Sequence, residues 1–449
     1  MAIFGSGRRE TQGLLRAMEV GSTDRLPPAY LTVYAANLRD QDVLEALRKG
    51  LPEGRRCDYG TLARPGVAGT EPPATLDGAA ALSLFVDPEQ LDGLADRVLA
   101  TRKAGRDFCL IVAVNPTQLA ALGRWLKHRA ETTRLAGIRL VVASNVDEVA
   151  PQLASRLGKI TNDNVIRMPL ATEVENSPVR NVYVFSPELH DLTRRIREFA
   201  VNGVNRAYLL GGPGSGKTTL AYYYYLCRAQ GRFVTVNLSS ESTGDKAAIK
   251  SLLCGHVSGA FPGAGARNGA FATAADGVAF LDEGHGITGA VMEVLMEALD
   301  SGQYMPYGAS AKRQVECAIL FATNRSWEHL RNSVNIDEFT RLGAAVLEVP
   351  ELTKREEDMI AVIGMSLARF AAGCTSWTKP AGVSADAWQM IRDCRWHGNV
   401  RSLVRVLESA FVDTASRGEE SLIQAQDVAH GIELWEPKAH HSYEIYATK

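Results

Sequence analysis

Residues Ala207–Ala229 read AYLLGGPGSGKTTLAYYYYLCRA: a short apolar strand, a glycine-rich loop and a helical run. That order is what a phosphate-binding loop requires. Glycines 211, 212, 214 and 216, with Pro213 and Ser215 between them, let backbone N–H groups converge on phosphate oxygens at a helix N-terminus, where the helix dipole favours anions. Lys217 is placed to reach the terminal phosphates and Thr218 to offer its hydroxyl to Mg2+, with Thr219 counted in the same loop. The expectation is ATP binding with Mg2+ on a parallel α/β sheet. A second glycine-bearing stretch, GSGRRE from Gly5, has neither the lysine nor a preceding strand, and is assigned no nucleotide role.

Downstream, the apolar run GVAFL ends in Asp282 and Glu283. A carboxylate after a buried strand can hold Mg2+, and its neighbour can orient and deprotonate an attacking water. A third run, CAILFATN, ends in Asn324, which would place an amide at the carboxyl edge of the sheet, near a terminal phosphate. His285, just past the carboxylates, is read as a solvated loop residue, and Tyr222 to Tyr225 as core and interface packing.

Upstream, residues 1–170 alternate short apolar runs (AYLTVYAANL, ALSLFVD, FCLIVAVN, IRLVVASN, VIRMP) with helical patterns, which argues for a second parallel sheet flanked by helices in a Rossmann- or receiver-like α/β unit. Residues 171–181 read as a linker, 182–350 as the α/β ATPase core, 351–436 as a helical lid around Trp396 and Gly398, and 437–449 as a polar tail. Trp396 and Gly398 are taken as a packing and turn pair. The 449 residues fit roughly three domains. A charged fraction of 22%, a net charge of -2 and no long apolar run predict a soluble, cytoplasmic chain with no membrane span and no global pull toward nucleic acid. Seven cysteines without a Cys-x-x-Cys pair suggest neither a disulfide framework nor a zinc site.

Over residues 182–436 the order of motifs resembles the AAA+ domain of the sigma-54-dependent transcription activators. VYVFSPELHDL is similar to the segment preceding that family's P-loop, FVTVN to its strand ending in a switch asparagine, LLCGHVSGAFPGA to the stretch that runs into its client-contacting loop, and NGAFATAADGVAFLDE to its run into the acidic pair. VMEVLMEALDSGQYMPYG, FATNR, EFTRLG and WHGNVRSL follow in the family's order. The resemblance implies Asn237 as a switch for the catalytic Glu283, Asn324 as sensor I, Arg341 as an arginine finger acting on a neighbouring subunit, Arg401 as sensor II, and a homo-oligomeric ring, expected to be a hexamer. It further implies a protein client, sigma-54 RNA polymerase.

The sequence departs from that pattern in places. The loop Gly259–Ala264 carries Pro262 after Phe261 where the activators carry threonine, which removes a hydroxyl and a backbone N–H and fixes φ. The position of the family's first finger arginine is Asn335. Only 48 residues follow Arg401, and they leave no room for a DNA-reading domain beyond the lid. In the N-terminal unit, Asp87 follows a strand without the acidic pair or closing Lys-Pro of a phosphorylated receiver. Three readings follow. The first is a sigma-54-type activator without its own DNA-binding domain. The second is a ring ATPase redirected to another client, gripped by Phe261 and Pro262. The third is a nucleotide-gated scaffold.

Overall fold

The structure is a computed structural model and describes residues 30–35, 40–61, 75–157, 163–168, 181–238, 246–283, 289–328, 332, 345–375, 377–418 and 421–438. Five strands, β1 (Tyr30–Ala35), β2 (Arg56–Tyr59), β3 (Ala80–Leu84), β4 (Cys109–Val114) and β5 (Ile138–Val142), form an all-parallel sheet in the order β2-β1-β3-β4-β5. This is the flavodoxin-like doubly wound order. β3, β4 and β5 are buried along their whole length, which is why they read as unbroken apolar runs. The alternating helices are α1 (Gln41–Lys49), α2 (Asp92–Lys103), α3 (Leu119–Thr132) and α4 (Val146–Arg156). α1 and α4 open on side-chain caps: Asp40 accepts from the Asp42 N–H and Asn145 from the Glu148 N–H.

Two details differ from the sequence reading. β2 is an edge strand with the sequence RCDY, in which only Cys57 is buried, so no apolar run announced it. The run VIRMP does not extend the parallel sheet. Its strand β6 (Val165–Arg167) pairs antiparallel with β7 (Asn181–Tyr183) in a separate ribbon. Three residues that are half-buried or exposed offer too little apolar face to join a sheet covered on both sides.

Next come β8 (Arg206–Leu210) and β9 (Phe233–Asn237), the hairpin of β10 (Gly255–His256) and β11 (Arg267–Asn268), β12 (Val278–Asp282), the hairpin of β13 (Gln303–Tyr304) and β14 (Arg313–Gln314), β15 (Ala318–Thr323) and β16 (Ala345–Glu348). Five of them build a second parallel sheet in the order β16-β8-β15-β12-β9. Its helices are α5 (Pro187–Val201), α6 (Lys217–Arg228), α7 (Lys246–Cys254), α8 (Ala270–Ala274) and α9 (Gly289–Ser301). Tyr222 and Tyr224 are buried, while Tyr223 and Tyr225 are half-buried against the same apolar core. All seven cysteines are unpaired.

The remaining elements are helical: α10 (Glu356–Gly373), α11 (Ala385–Asp393), α12 (Asn399–Arg417) and α13 (Ala425–Trp435), with a short parallel pairing of β17 (Gly382–Val383) and β18 (Leu422–Ile423). The first sheet's apolar core continues into these helices, from Leu110 and Trp125 to Ile360, Leu367 and Leu407. α3 and α10 touch backbone to backbone: a Cβ on Gly123 would run into the Gly364 carbonyl. Beside that crossing, Arg139 on β5 and Glu357 on α10 form an ion pair of 2.6 Å, 1% and 2% exposed. The Arg139 guanidinium also donates to the Ser155 and Arg156 carbonyls, and Glu357 accepts the Leu140 N–H. Among the described residues, no helix is long and apolar enough to cross a membrane.

Candidate active site

β8 ends at Leu210, and Gly211 donates its N–H to the Thr323 carbonyl of neighbouring β15, fixing where the loop leaves the sheet. Gly214 (φ 66°) and Gly216 (φ 102°) both occupy the left-handed region, which glycine enters without a Cβ penalty. Gly214 also lies against the lid: a Cβ there would collide with the Gly398 carbonyl and sit 2.7 Å from the Arg401 Cβ. α6 then starts at Lys217, with Leu220 donating to the Gly216 carbonyl at 3.0 Å. Thr218, in the first turn, is exposed.

Lys217 Nζ donates to the Gly211 and Gly212 carbonyls at 2.8 and 3.0 Å. Burial pushes its pKa down to about 8; the Arg401 charge adds to the fall, and Asp282 and Glu283 oppose it. Lys217 thus lies within reach of the charges of all three side chains. Asp282 ends β12, where its register partner on β9 is Asn237. Its Oδ1 accepts the Glu283 N–H at 2.8 Å. Glu283 itself sits at φ 55°, a left-handed conformation that a non-glycine residue adopts at some cost and that recurs at functional sites. Asn324 follows β15, the strand between β8 and β12, and is therefore set between the loop and the acidic pair. Its Oδ1 and the buried Ser215 Oγ find no partner among the described residues.

The Thr218 hydroxyl and the Asp282 carboxylate are hard oxygen donors of the kind Mg2+ takes, and Lys217 feels the Asp282 charge at the start of the same helix turn. The donor set fits that ion. Phosphates gripped by backbone N–H groups and a lysine, beside two carboxylates, form an arrangement that can carry out in-line phosphoryl transfer to water. Arg341, Asn335 and His285 lie outside the described residues.

Residues 182–348 match the sigma-54 interaction domain, and residues 353–444 match the AAA+ ATPase lid domain. The chain is homologous to the sigma-54-dependent activators. The nitric oxide reductase transcription regulator NorR1 of Cupriavidus necator is 32% identical over 246 residues, covering 53% of this chain and 47% of the relative. The Nif-specific regulatory protein of Herbaspirillum seropedicae is 29% identical over 244 residues, covering 53% and 44%. The match thus spans about half the length of these curated relatives. The crystal structure of NtrX from Brucella abortus in complex with ADP covers 93% of this chain and 88% of its own at 18% identity, with a TM-score of 0.49. The chain therefore carries the sigma-54 interaction domain of an ATP-binding AAA+ unit, followed by its lid domain.

The loop between β10 and β11 is held by contacts within itself and to Tyr307. Phe261 is 45% exposed, its ring 5.0 Å from that of His256 and 6.5 Å from Tyr307. The Ala264 N–H donates to the Phe261 carbonyl at 2.9 Å, with Pro262 and then Gly263 (φ 82°) between them. Proline at the second place and a left-handed glycine at the third are the signature of a type II turn. The proline therefore presets the tip.

Two buried side chains at this site went unassigned in the sequence. Asn399 holds the Pro213 carbonyl, and Arg355 reaches the Ser215 carbonyl, both from the lid side. Asn399 lies inside the quoted WHGNVRSL motif, where Arg401 drew the functional reading; Arg355 had no local signal beyond a charged run before an apolar helix.

Proposed function

We propose that this chain hydrolyses ATP and couples that turnover to remodelling a protein partner, in the manner of a sigma-54 activator. What supports the reading most is that Lys217, at the carboxyl edge of the parallel sheet, feels the charges of Asp282 and Glu283 from the same edge and of Arg401 from lid helix α12. In this reading the Gly211–Gly216 backbone, Lys217 and Thr219 hold the phosphates of ATP. Thr218 and Asp282 hold Mg2+, which when bound neutralises charge on the phosphate oxygens. Glu283 orients a water and takes its proton as the oxygen attacks the γ-phosphorus and the bond to ADP breaks, while Asn237 holds or releases that glutamate. Asn324 reads the γ-phosphate and Arg401 ties it to the lid. Arg341 completes a neighbour's site, which requires a ring of identical subunits; we place six in it.

The assay is steady-state phosphate release from the purified chain with Mg2+ and ATP. Turnover should be measurable, and Glu283→Gln should retain nucleotide while losing turnover. If Glu283→Gln hydrolyses ATP as fast as the parent, the assignment fails.

A second reading, a ring ATPase working on a different client, is favoured by Pro262. It supplies neither hydroxyl nor N–H and commits the tip to a turn opened by Phe261, which is 45% exposed. Gel filtration with sigma-54 and an ATP transition-state mimic separates the two. Co-migration supports the activator reading. No complex, with none restored by Pro262→Thr, points to another client.

A further inference from the structure

The lid meets the phosphate loop through Asn399 and Arg355. Asn399 opens α12, is 3% exposed and stands at φ 48°, a left-handed backbone that asparagine tolerates better than most residues. Its amide is used at both ends. Oδ1 accepts the Leu352 N–H at 3.0 Å, and Nδ2 donates to the Pro213 carbonyl at 3.1 Å and to the His397 carbonyl at 3.4 Å. Arg355, 4% exposed, sends Nη2 to the Ser215 carbonyl at 3.4 Å, while its Nε has no partner among the described residues. Burial holds the Arg355 pKa below its ordinary value, with Asp358 opposing the shift. A desolvated guanidinium short of partners is poor scaffolding, because an apolar side chain of similar volume would fill the same space at lower cost.

The geometry of the peptide unit says what these contacts accomplish. A trans peptide points its C=O and its N–H in opposite directions. Pinning the Pro213 and Ser215 carbonyls from the lid therefore turns the Gly214 and Gly216 N–H groups away from the lid side chains. Gly214 and Gly216 are left-handed and Ser215 between them is not, the alternation that makes successive N–H groups converge into an anion-binding nest. We infer that Asn399 and Arg355 are positioning residues of the nucleotide site: the lid uses them to aim the loop's N–H groups at phosphate, so that nucleotide affinity depends on lid placement. The inference rests on reading Gly211–Thr218 as a nucleotide site.

The test uses the full chain, a fluorescent ADP analogue, steady-state phosphate release and thermal unfolding without nucleotide. Asn399→Asp is the informative variant. It keeps an acceptor for Leu352 and a side chain suited to left-handed backbone, but sets an oxygen against the Pro213 carbonyl. Its Kd for the ADP analogue and KM for ATP should both rise about tenfold, the size of one lost and reversed hydrogen bond. kcat should stay within about threefold, since the loss is shared by ground and transition states. A carboxylate buried there also lowers the nucleotide-free melting temperature, so the control is Arg355→Met, which buries no new charge and should leave that temperature unmoved. Arg355→Met should weaken ADP in the same direction, and Arg355→Lys, which keeps a cation and a donor, should recover part of the loss. ADP affinity unchanged in both Asn399→Asp and Arg355→Met would overturn the inference. So would weakened affinity in Arg355→Met that tracks a lowered nucleotide-free melting temperature and is not recovered by Arg355→Lys. An unsubstituted chain that neither binds the analogue nor releases phosphate refutes the nucleotide reading itself, and with it this one, before any variant is made.

Discussion

The chain contains two five-stranded parallel sheets, and what separates them is how the polar side chains at their carboxyl edges are used. At the edge of the first sheet several of these groups satisfy their neighbours, although Ser83 Oγ near the end of β3 has no partner among the described residues. Asp87 Oδ1 accepts the Glu89 N–H, Asn145 Oδ1 accepts the Glu148 N–H, and Glu148 Oε2 in turn accepts the Ser144 N–H. Each of these carboxylates and amides closes a helical turn. At the edge of the second sheet, Asn324 Oδ1 and Ser215 Oγ find no partner among the described residues, Lys217 is held far below its ordinary pKa, and Glu283 stands in a costly backbone conformation. Similar architecture thus carries a largely self-satisfied edge and a poised one. A receiver-like strand order alone does not make an active edge; unspent bonding capacity does.

The largest effect that could break this contrast is on turnover. Glu283→Gln should lower kcat by at least about 100-fold, the usual worth of a general base. Asp87→Asn should leave kcat unchanged, since asparagine caps the Pro88–Gln90 turn as well as aspartate does. Phosphate release measured on both variants decides it, and a large loss in Asp87→Asn would show that the first edge is chemical after all.

The first sheet's energetic weight lies at its junction with the lid. Arg139→Met should destabilise the fold by about 3 kcal/mol, because it leaves the buried Glu357 with only the longer Arg156 contact at 3.6 Å and the Leu140 N–H. Replacing both, Arg139→Met with Glu357→Met, should regain most of that loss. Urea unfolding of the two variants checks the pair. If single and double variants are equally unstable, the pair is not what holds the junction.

The contrast also explains what could be read in advance. The loop from Gly211 to Thr218 and the Asp282-Glu283 pair were legible because each is a local run tied to a strand end, and the geometry of one edge follows from the order of such runs. β2 was not, since an edge strand paired on one side needs no apolar alternation. The junction was illegible for a different reason: Arg139 and Glu357 are 218 residues apart, so no periodicity within either helix or strand marks them as partners. Asn399 was hidden because its role is to hold a backbone carbonyl, and backbone carbonyls have no sequence signature.

The smallest effect would sharpen what poised means in units of protons. A lysine whose pKa has fallen to about 8 is partly neutral just above that pH, whereas nucleotide phosphates beside it favour the ammonium and raise its pKa. Nucleotide binding should therefore take up a proton between about pH 8 and the ordinary lysine range, and affinity should fall as pH rises through that window, by at most about tenfold per pH unit. More than about a unit below pH 8, Lys217 is charged in both states and little uptake is expected from it; above pH 8 the nucleotide's own phosphates are already ionised and do not mask the signal. Calorimetric titration with ADP at pH 8.5, in two buffers of different ionisation heat, reads the uptake directly. Lys217→Arg, whose guanidinium stays charged throughout, should bind with no such uptake. Equal apparent heats in the two buffers for the unsubstituted chain would mean that Lys217 is already fully charged before the phosphates arrive, and that burial alone does not poise the second edge.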